Sequence, residues 1–303
     1  MAEQETMNML TFLEKFDTDE KCREYLYLIR WPEGYICPKC SVKDEPFQIV
    51  SRHLYQCRHC THQASVTAGT IMDHTRIPLC KWFLAIYLIG NDKRGCSALR
   101  LKRELKISYD TAWTMSHKIR KAMGERDDLY LLRGIVEMDE AFFGSPDEDG
   151  KRGRGSSKTP VAVCLSLGEK GKPVFCKAQV LDNAGSDAIT AFAQQAVEPG
   201  SVIRTDGLRS YRKLRENGYE HRPRTADPAN EPEHLKWLHI IISNMKAFIA
   251  GTYHGLGARH LQAFLDEFCY RFNRRFWQDQ LFARTLNACA HAAPFARKLL
   301  VMS

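Results

Sequence analysis

The feature that most constrains this chain is an apolar run interrupted by three acidic residues, Gly134-Ile-Val-Glu-Met-Asp-Glu-Ala-Phe-Phe143. Its apolar residues predict a buried strand, and Glu137, Asp139 and Glu140 lie within it. A carboxylate in such a strand is costly to bury unless a partner compensates its charge, most simply a metal ion. Because side chains alternate along a strand, Glu137 is expected on the same face as Asp139, with Glu140 on the other.

A second carboxylate, Asp206, ends another short apolar run, 67 positions after Asp139. Around these two aspartates the sequence predicts strand, strand, strand, helix, strand and helix. These elements cover residues 134–143, 161–167, 174–181, 186–196, 202–205 and 208–217. This is the order of a ribonuclease-H-like domain, in which an aspartate on the first strand lies beside one at the end of the fourth. The pair therefore predicts a divalent-metal site.

Such a site needs a third ligand, and the helix predicted over residues 232–251 is expected to supply it. His239, Ser243 and Lys246 share one face of this helix, whereas Asn244 lies off that face. We favour His239, because a ring nitrogen binds divalent ions well. Two alternatives stay open, namely Asn244 through its carbonyl oxygen and an acidic residue near the start of the helix. The simplest non-functional interpretation is an ordinary core histidine.

Two C-x2-C pairs, with 16 residues between them, predict a zinc ribbon. The four cysteines are Cys37, Cys40, Cys57 and Cys60. Each pair can hold one side of a tetrahedral ion from a tight turn, and the apolar residues between the pairs suit a short hairpin. Structural zinc is the favoured interpretation, and disulfides or free thiols are the alternative. With four thiolates the shell is closed, so we expect no catalysis there.

Residues 77–124 are predicted to be helical, with Ser97 and Ser108 as N-caps. Two of these helices are joined by a short turn, and the second is basic, which is typical of a helix-turn-helix. Its candidate DNA-binding residues are Lys118, Arg120 and Lys121. The alternative is a connecting helical bundle without contact to DNA.

A glycine-rich basic stretch over residues 150–158 predicts an exposed loop. Its candidate DNA-binding residues are Lys151, Arg152 and Arg154. The natural partner of such a loop is the phosphate backbone of DNA, and a merely solvated loop is the alternative. The net charge of +8 permits a polyanionic partner but does not establish one.

The composition excludes several classes of protein. No apolar run in the 303 residues approaches the roughly 20 needed to span a bilayer, so we expect no membrane partner. Eleven cysteines, in a chain whose first residues do not resemble a secretory signal, favour metal binding or buried thiols over a disulfide framework. A cytoplasmic location is the expectation.

Taken together, these motifs resemble insertion-sequence transposases of the ISXO type. The resemblance covers roughly residues 20–280. The motifs are the cysteine pairs, Met138-Asp-Glu140, Gly150-Lys-Arg-Gly-Arg-Gly155, Thr205-Asp-Gly207, Gly251-Thr-Tyr-His254 and the segment from Asp266 to Arg275. The resemblance implies a multidomain α/β protein with an N-terminal zinc ribbon, a helical helix-turn-helix-like segment and a ribonuclease-H-like catalytic domain with a mixed sheet. The expected regions are a helical lead-in (1–35), the ribbon (36–66), the helix-turn-helix-like region (77–124), the catalytic domain (133–280) and a C-terminal helix (281–303).

The resemblance also implies a function, namely metal-dependent cleavage and transfer of DNA strands at the terminal inverted repeats of an insertion sequence. In such enzymes three acidic-type ligands hold two Mg²⁺ ions, and we expect Mg²⁺ or Mn²⁺ as the catalytic metal here. Here they would be Asp139, Asp206 and His239, since the matching Lys246 places the third position on His239, where the family commonly has Glu or Asn. Lys246 would hold DNA near the site. The implied partners are the element ends, the target DNA and a second copy of the chain, and the implied location is the nucleoid.

Two other functions remain open from the sequence. One is a DNA-binding regulator, built on the zinc ribbon and the helix-turn-helix, whose catalytic domain is degenerate and inactive. The other is a metal-dependent nuclease that cuts DNA without joining it.

Overall fold

The chain divides into two structural units, with boundaries at Asp127 and at Trp277. The structure, a computed structural model, describes residues 7–144, 153, 156–224 and 234–296. One unit contains the N-terminal part up to Arg126 together with the residues from Trp277 onward, and the other extends from Asp127 to Phe276. Among the described helices, none is long and apolar enough to cross a membrane.

Helices and strands follow one another in blocks along the chain. The helices are α1 (Met9–Lys15), α2 (Asp19–Arg30), α3 (Leu79–Asn91), α4 (Ala98–Leu105), α5 (Tyr109–Asp128), α6 (Ser186–Ala196), α7 (Lys236–Thr252), α8 (Leu261–Asn273) and α9 (Leu281–His291). The strands are β1 (Phe47–Ile49), β2 (Leu54–Gln56), β3 (Gln63–Ser65), β4 (Ile135–Phe143), β5 (Thr159–Leu167), β6 (Pro173–Val180), β7 (Val202–Thr205) and β8 (Glu220–Pro223). A 3₁₀ helix covers Arg209–Asn217.

Strands β1 to β3 of the first unit form a small antiparallel sheet in sequence order. The helices around it pack on an aromatic core. The ring of Phe282, on α9, lies 5.2 Å from that of Phe12, 5.4 Å from that of Phe16 and 5.9 Å from that of Phe83. The helix that comes last in the described chain therefore belongs with the first ones. Burial of these large rings stabilises the unit independently of the ribbon.

Helices α4 and α5 begin at the serines that the sequence predicts as caps. Ser97 Oγ accepts a hydrogen bond from the Arg100 amide at 3.2 Å, and Ser108 Oγ accepts one from the Thr111 amide at 3.1 Å. Each hydroxyl satisfies an amide that the first helical turn leaves without a partner. Both caps are confirmed, and residues 106–108 form the short connection between the two helices.

The second unit is built on a five-stranded mixed sheet in the order β6-β5-β4-β7-β8. Strands β6, β5 and β4 are antiparallel, and β4, β7 and β8 are parallel. Helix α6 and the 3₁₀ helix cover one face, where Val136 and Met138 of β4 are buried. Helices α7 and α8 cover the other, where Ala141 and Phe143 are buried. This arrangement confirms the predicted ribonuclease-H-like fold class and adds β8, which the sequence did not predict.

The end of α8 is held by a buried polar network. The Asn273 amide nitrogen donates to Asp127 at 2.8 Å and to the Cys176 carbonyl at 3.0 Å, and its oxygen accepts from the Cys176 amide at 2.8 Å. Arg274 pairs with Asp127 at 2.7 Å. These polar residues of the Asp266–Arg275 motif therefore face inward, where they satisfy one another.

Candidate metal and DNA sites

The four predicted cysteines form a compact thiol cluster. Their sulfur atoms all lie within 4.8 Å of one another. The Cys37–Cys60 and Cys40–Cys57 sulfur distances are 3.5 and 3.7 Å. A zinc–sulfur tetrahedron with bonds of about 2.3 Å has edges of about 3.8 Å, so the cluster fits zinc closely. Four thiolates fill that shell, which indicates a structural site.

The two halves of this cluster are built alike. In each half the amide of the first cysteine, Cys37 or Cys57, donates to the carbonyl five residues on, at 3.0 and 2.9 Å. The residue four positions on, Ser41 or Thr61, donates back to that cysteine's carbonyl at 2.9 and 3.0 Å. Both take a left-handed φ of 58°. Each C-x2-C pair is thus presented by its own tight turn, as its spacing predicts.

Asp139 and Asp206 are placed by the parallel pairing of β4 with β7. The register pairs Ile135 with Val202 and Glu137 with Arg204. Asp206 lies two positions beyond the last pair of this register, and the same register continued leads to Asp139 on β4. Asp206 directly follows β7, and its Oδ1 accepts the Leu208 amide at 3.1 Å.

His239 lies at this pair of carboxylates. Its Nε2 is 3.3 Å from Asp139 Oδ2. The pKa of His239 is raised, chiefly by this hydrogen bond, which outweighs partial burial and is reinforced by the charges of Asp139, Glu137 and Asp206. The imidazole therefore sits in a negative field that also suits a cation.

Asn244, the alternative third ligand, does not reach this position. It lies five residues after His239, about 140° further round α7 at 100° per residue. That direction is shared by the exposed Trp237 and Ile240, on the opposite flank of the helix. The acidic residues before α7 fall outside the described residues. Of the candidates that the structure describes, His239 is the one in contact with Asp139.

Glu137 attaches α7 to β4 directly before this contact. Its buried carboxylate accepts the amide of Leu238, in the first turn of α7, at 3.3 Å. Burial raises the pKa of Glu137, opposed by that hydrogen bond and by the charges of Arg204 and His239. A carboxylate at a helix N-terminus also interacts favourably with the helix dipole. Glu137 thus holds the helix one residue before His239.

Glu140 points to the other face of the sheet, as the alternation along β4 predicts. The buried hydroxyl of Tyr211, on the 3₁₀ helix, donates to Glu140 Oε2. Burial raises the pKa of Tyr211 well above its usual range, and the charges of Glu140 and Asp139 add to the shift. Tyr211 was not among the predicted site residues, because no motif marks a tyrosine five positions after Asp206.

Lys246 lies on the same flank of α7 as His239, seven residues further on. Its ammonium is 5.6 Å from the ring centre of Phe143. Partial burial lowers the pKa of Lys246, the charge of Lys158 lowers it further, and the charge of Asp139 opposes both. Lys246 is therefore within electrostatic range of Asp139.

The carboxylate site is looser than the thiol cluster. Among the described residues, the four cysteines form the one group of metal-ligand side chains gathered within 4.8 Å. Asp139, Asp206 and His239 come from three separate elements, and the His239–Asp139 contact at 3.3 Å is the close one. Two carboxylates and an imidazole are nevertheless a donor set that suits Mg²⁺ or Mn²⁺.

The predicted DNA contact at Arg120 is wrong. Arg120 is only 2% exposed, and its guanidinium donates to Ser116 Oγ at 3.0 Å and to the Cys96 carbonyl at 3.3 Å. The basic residues of α5 predicted a helix that contacts DNA, but the middle of this helix is buried on most sides. A buried arginine with its own partners is unavailable to a phosphate backbone.

The other basic candidates are placed differently. Lys118 is half-buried and donates to the Ile71 carbonyl at 3.0 Å. Lys121 is also half-buried and pairs with Glu125 at 2.5 Å. The loop residues Lys151, Arg152 and Arg154 lie outside the described residues.

Family models match both parts of this architecture. Residues 131–273 match the ISXO2-like transposase domain, and residues 17–63 match the transposase zinc-ribbon domain. The chain belongs to the ISXO-type transposases. The first match lies within the unit that carries Asp139, Asp206 and His239, and the second includes all four ribbon cysteines.

Individual relatives are more distant. A Halobacterium salinarum protein, described as an uncharacterized protein in transposable element ISH50, is 26% identical over 224 residues, covering 68% of this chain and 73% of that protein. Two solved structures, the Mos1 transposase paired-end complex with left transposon end and the Mos1 strand transfer complex, are each 12% identical with a TM-score of 0.23. The matched regions cover 67% and 70% of this chain, respectively, and 78% of each of the two Mos1 chains.

Proposed function

We propose that this transposase binds the terminal inverted repeats of an insertion sequence, cleaves a DNA strand there and joins it to target DNA with the help of a divalent metal. The observation that carries the proposal is the contact of His239 with Asp139, on a strand whose register sets Asp139 beside Asp206. The three proposed donors come from β4, from the residue that follows β7 and from α7.

Asp139, Asp206 and His239 would hold Mg²⁺ or Mn²⁺ in this proposal. A bound divalent ion supplies Lewis-acid polarisation of a phosphodiester and neutralises the charge that develops on its oxygens. The chain orients its own ligands. The Glu140 amide donates to Asp139 Oδ1 at 2.8 Å, and the Leu208 amide donates to Asp206 Oδ1 at 3.1 Å.

DNA is the partner that this site requires. Lys246 would hold a strand near the carboxylates, and the zinc ribbon with the helices after it would recognise the inverted repeats. The net charge of +8 favours association with a polyanion. Two element ends must be brought together, so a second copy of the chain is expected in the DNA complex.

The test is a strand-transfer assay with the two ends of the element that carries this gene, in Mg²⁺ or Mn²⁺. Asp139→Asn and Asp206→Asn are expected to abolish product, because each removes a charged metal ligand. Asp187→Asn is the matched control, since it makes the same change at an exposed aspartate of α6 that pairs with Lys213. It is expected to retain activity.

Each alternative function has its own outcome in this assay. Full activity in Asp139→Asn or Asp206→Asn would contradict the proposed site. Specific binding of the ends without metal-dependent cleavage would favour the DNA-binding regulator. Cleavage without a joined product would favour the nuclease.

A further inference from the structure

A cleft of about 280 Å³ lies within the first unit, between α2, the ribbon and the segment that leads from β3 to α3. Each of these three walls contributes a basic side chain. Arg23 lies on α2, and Arg76 lies three residues before α3. Arg52 and His53 lie on the turn between β1 and β2 of the ribbon. The cleft therefore joins basic residues of the ribbon to basic residues outside it.

The ribbon wall of the cleft is fixed against α2. The ring of Tyr55, on β2, lies 4.8 Å from that of Tyr27 and 5.9 Å from that of Trp31. Arg30, the last residue of α2, donates to the Val66 carbonyl at 2.7 Å, directly after β3. Aromatic packing and a hydrogen bond to the backbone thus hold the ribbon at this position.

The wall before α3 is fixed in a similar way. The ring nitrogen of Trp82 donates to Thr75 Oγ1 at 2.9 Å, next to Arg76. Asp19 accepts the Cys80 amide at 3.0 Å, so α2 is attached to the first turn of α3. The cleft is therefore preformed, and a ligand that binds there does not have to order its walls first.

The charges that line the cleft do not cancel. Arg23 faces Asp19 at 3.9 Å and also pairs with Glu20, so its charge is offset. Arg52 and Arg76 are exposed, and within the described part of the chain neither forms an ion pair with a carboxylate. Two guanidinium groups, one from the ribbon and one from outside it, are thus available to an anion.

The phosphate backbone of DNA is the anion that suits this arrangement. A guanidinium group binds phosphate oxygens through two parallel hydrogen bonds. The cleft is open to solvent, so a duplex can present its backbone there. It also lies beside the ribbon, which the proposed function assigns to the inverted repeats. Backbone contacts of this kind fix the register of a protein on its duplex.

We propose that this cleft binds the phosphate backbone of the element end, through Arg52 of the ribbon and Arg76 of the segment before α3. The inference rests on the proposed function for the identity of its ligand. It places Arg76, which lies outside the ribbon, in the DNA interface. The cleft then positions the ribbon on the duplex and does not itself read bases.

The test is a salt titration of binding between the full chain and a labelled duplex of the element end, without added Mg²⁺ or Mn²⁺ so that no strand is cut. An unrelated duplex of equal length is titrated in parallel. Arg52→Gln and Arg76→Gln are compared with Arg58→Gln, which removes the same charge from the same ribbon. Arg58 lies beyond the other end of β2, away from the residues that line the cleft.

We expect Arg52→Gln and Arg76→Gln each to bind several-fold more weakly than Arg58→Gln. The slope of log K against log salt should fall by about 0.9 for each phosphate contact that is lost. Because a phosphate contact carries no sequence information, both duplexes should be weakened by the same factor. Zinc content checks that the ribbon stays folded, and Arg76→Gln tests the cleft from outside the ribbon.

Three results would overturn the inference. If either cleft variant titrates like Arg58→Gln, its arginine contributes only to the general positive charge of the unit. A loss confined to the element end would indicate contact with bases instead of phosphates. Failure of the unaltered chain to bind either duplex would remove the proposed ligand.

The binding test does not depend on cleavage. Weaker binding by both cleft variants, in a protein whose unaltered chain fails the strand-transfer assay, would support the phosphate-binding cleft and contradict the proposed function.

Discussion

The two candidate metal sites of this transposase are assembled in opposite ways. The ribbon takes all four sulfur atoms from the segment between Cys37 and Cys60, and two similar tight turns present them. The carboxylate site joins Asp139 to His239 across 100 positions of sequence. It depends on the pairing of β4 with β7 and on the attachment of α7 by Glu137.

This difference shows when the spacing of residues along the sequence is enough to identify a set of metal ligands. In the ribbon, ligands and turns are neighbours in sequence, so C-x2-C spacing leaves the sulfur atoms little freedom in their positions. In the second site, each ligand reaches its place only when strands and a helix have packed. We therefore expect the ribbon to fail as a whole when one ligand is removed, and the carboxylate site to lose affinity while its fold persists.

The largest expected effect is at the ribbon. Cys57→Ser should abolish zinc binding, because it removes one of the four thiolate ligands. The ribbon should then unfold, since structural zinc contributes roughly 10–16 kcal/mol in zinc-finger peptides, at least as much as the ~5–15 kcal/mol stability of a typical domain. Zinc content and protease sensitivity of residues 36–66 measure the loss. Far-UV circular dichroism should stay largely helical, because the helices around Phe282 pack on their own core.

Cys80→Ser is the control for this variant. Its sulfur lies outside the thiol cluster and donates to Asp19 at 3.0 Å, a hydrogen bond that a hydroxyl can replace. It should retain one zinc ion per chain. Normal zinc content in Cys57→Ser would remove the distinction between the two sites.

The second effect concerns the third ligand. His239→Ala should weaken Mn²⁺ binding more than Asn244→Ala, since His239 contacts Asp139 and Asn244 lies on the other flank of α7. Loss of even a hydrogen-bond partner of a ligand typically costs about 10- to 100-fold in affinity, so His239→Ala should cost at least that much. Isothermal titration with Mn²⁺ measures both variants, and the reverse ranking would refute the choice of His239.

The smallest effect is expected at Glu137. Glu137→Leu removes the acceptor of the Leu238 amide. The loss of folding stability should be comparable to that of a helix cap, about 0.5–2 kcal/mol. It is partly offset, because the variant also no longer buries a carboxylate. Glu137→Gln keeps a carbonyl acceptor in nearly the same shape. We expect Glu137→Leu to weaken Mn²⁺ binding several-fold and Glu137→Gln to weaken it much less. Urea unfolding measures the stability of both variants.

Equal Mn²⁺ affinities for the two Glu137 variants would mean that this contact does not position His239. Lower stability with unchanged Mn²⁺ affinity would assign Glu137 a structural role alone. Either result would weaken the account of the carboxylate site as one that depends on helix attachment.

Several features could be derived from the residues because they depend on short-range geometry. Alternation along β4 placed Glu137 and Glu140 on opposite faces, and the serine caps marked the starts of α4 and α5. Helical periodicity put His239 and Lys246 on one flank and Asn244 on another. Each of these follows from a short stretch of consecutive residues.

Other features lay beyond the pattern. Arg120 looked like a surface residue because its helix is rich in basic residues, and only packing shows that it is buried against Ser116 and Cys96. The apolar run around β8 is weak, so no local pattern predicts that strand. No local pattern marks the position of Tyr211 either. The association of α9 with the first helices depends on the aromatic core that they share.

The sequence by itself determined the ribbon, the order of the elements around Asp139 and Asp206, and the face that each carboxylate of β4 occupies, because bond geometry and residue spacing settle these over short distances. Only the tertiary structure decided which residue meets Asp139 and which basic side chains stay at the surface. Both depend on how helices dock on a sheet, a long-range balance of burial, charge and hydrogen bonding that no short pattern contains.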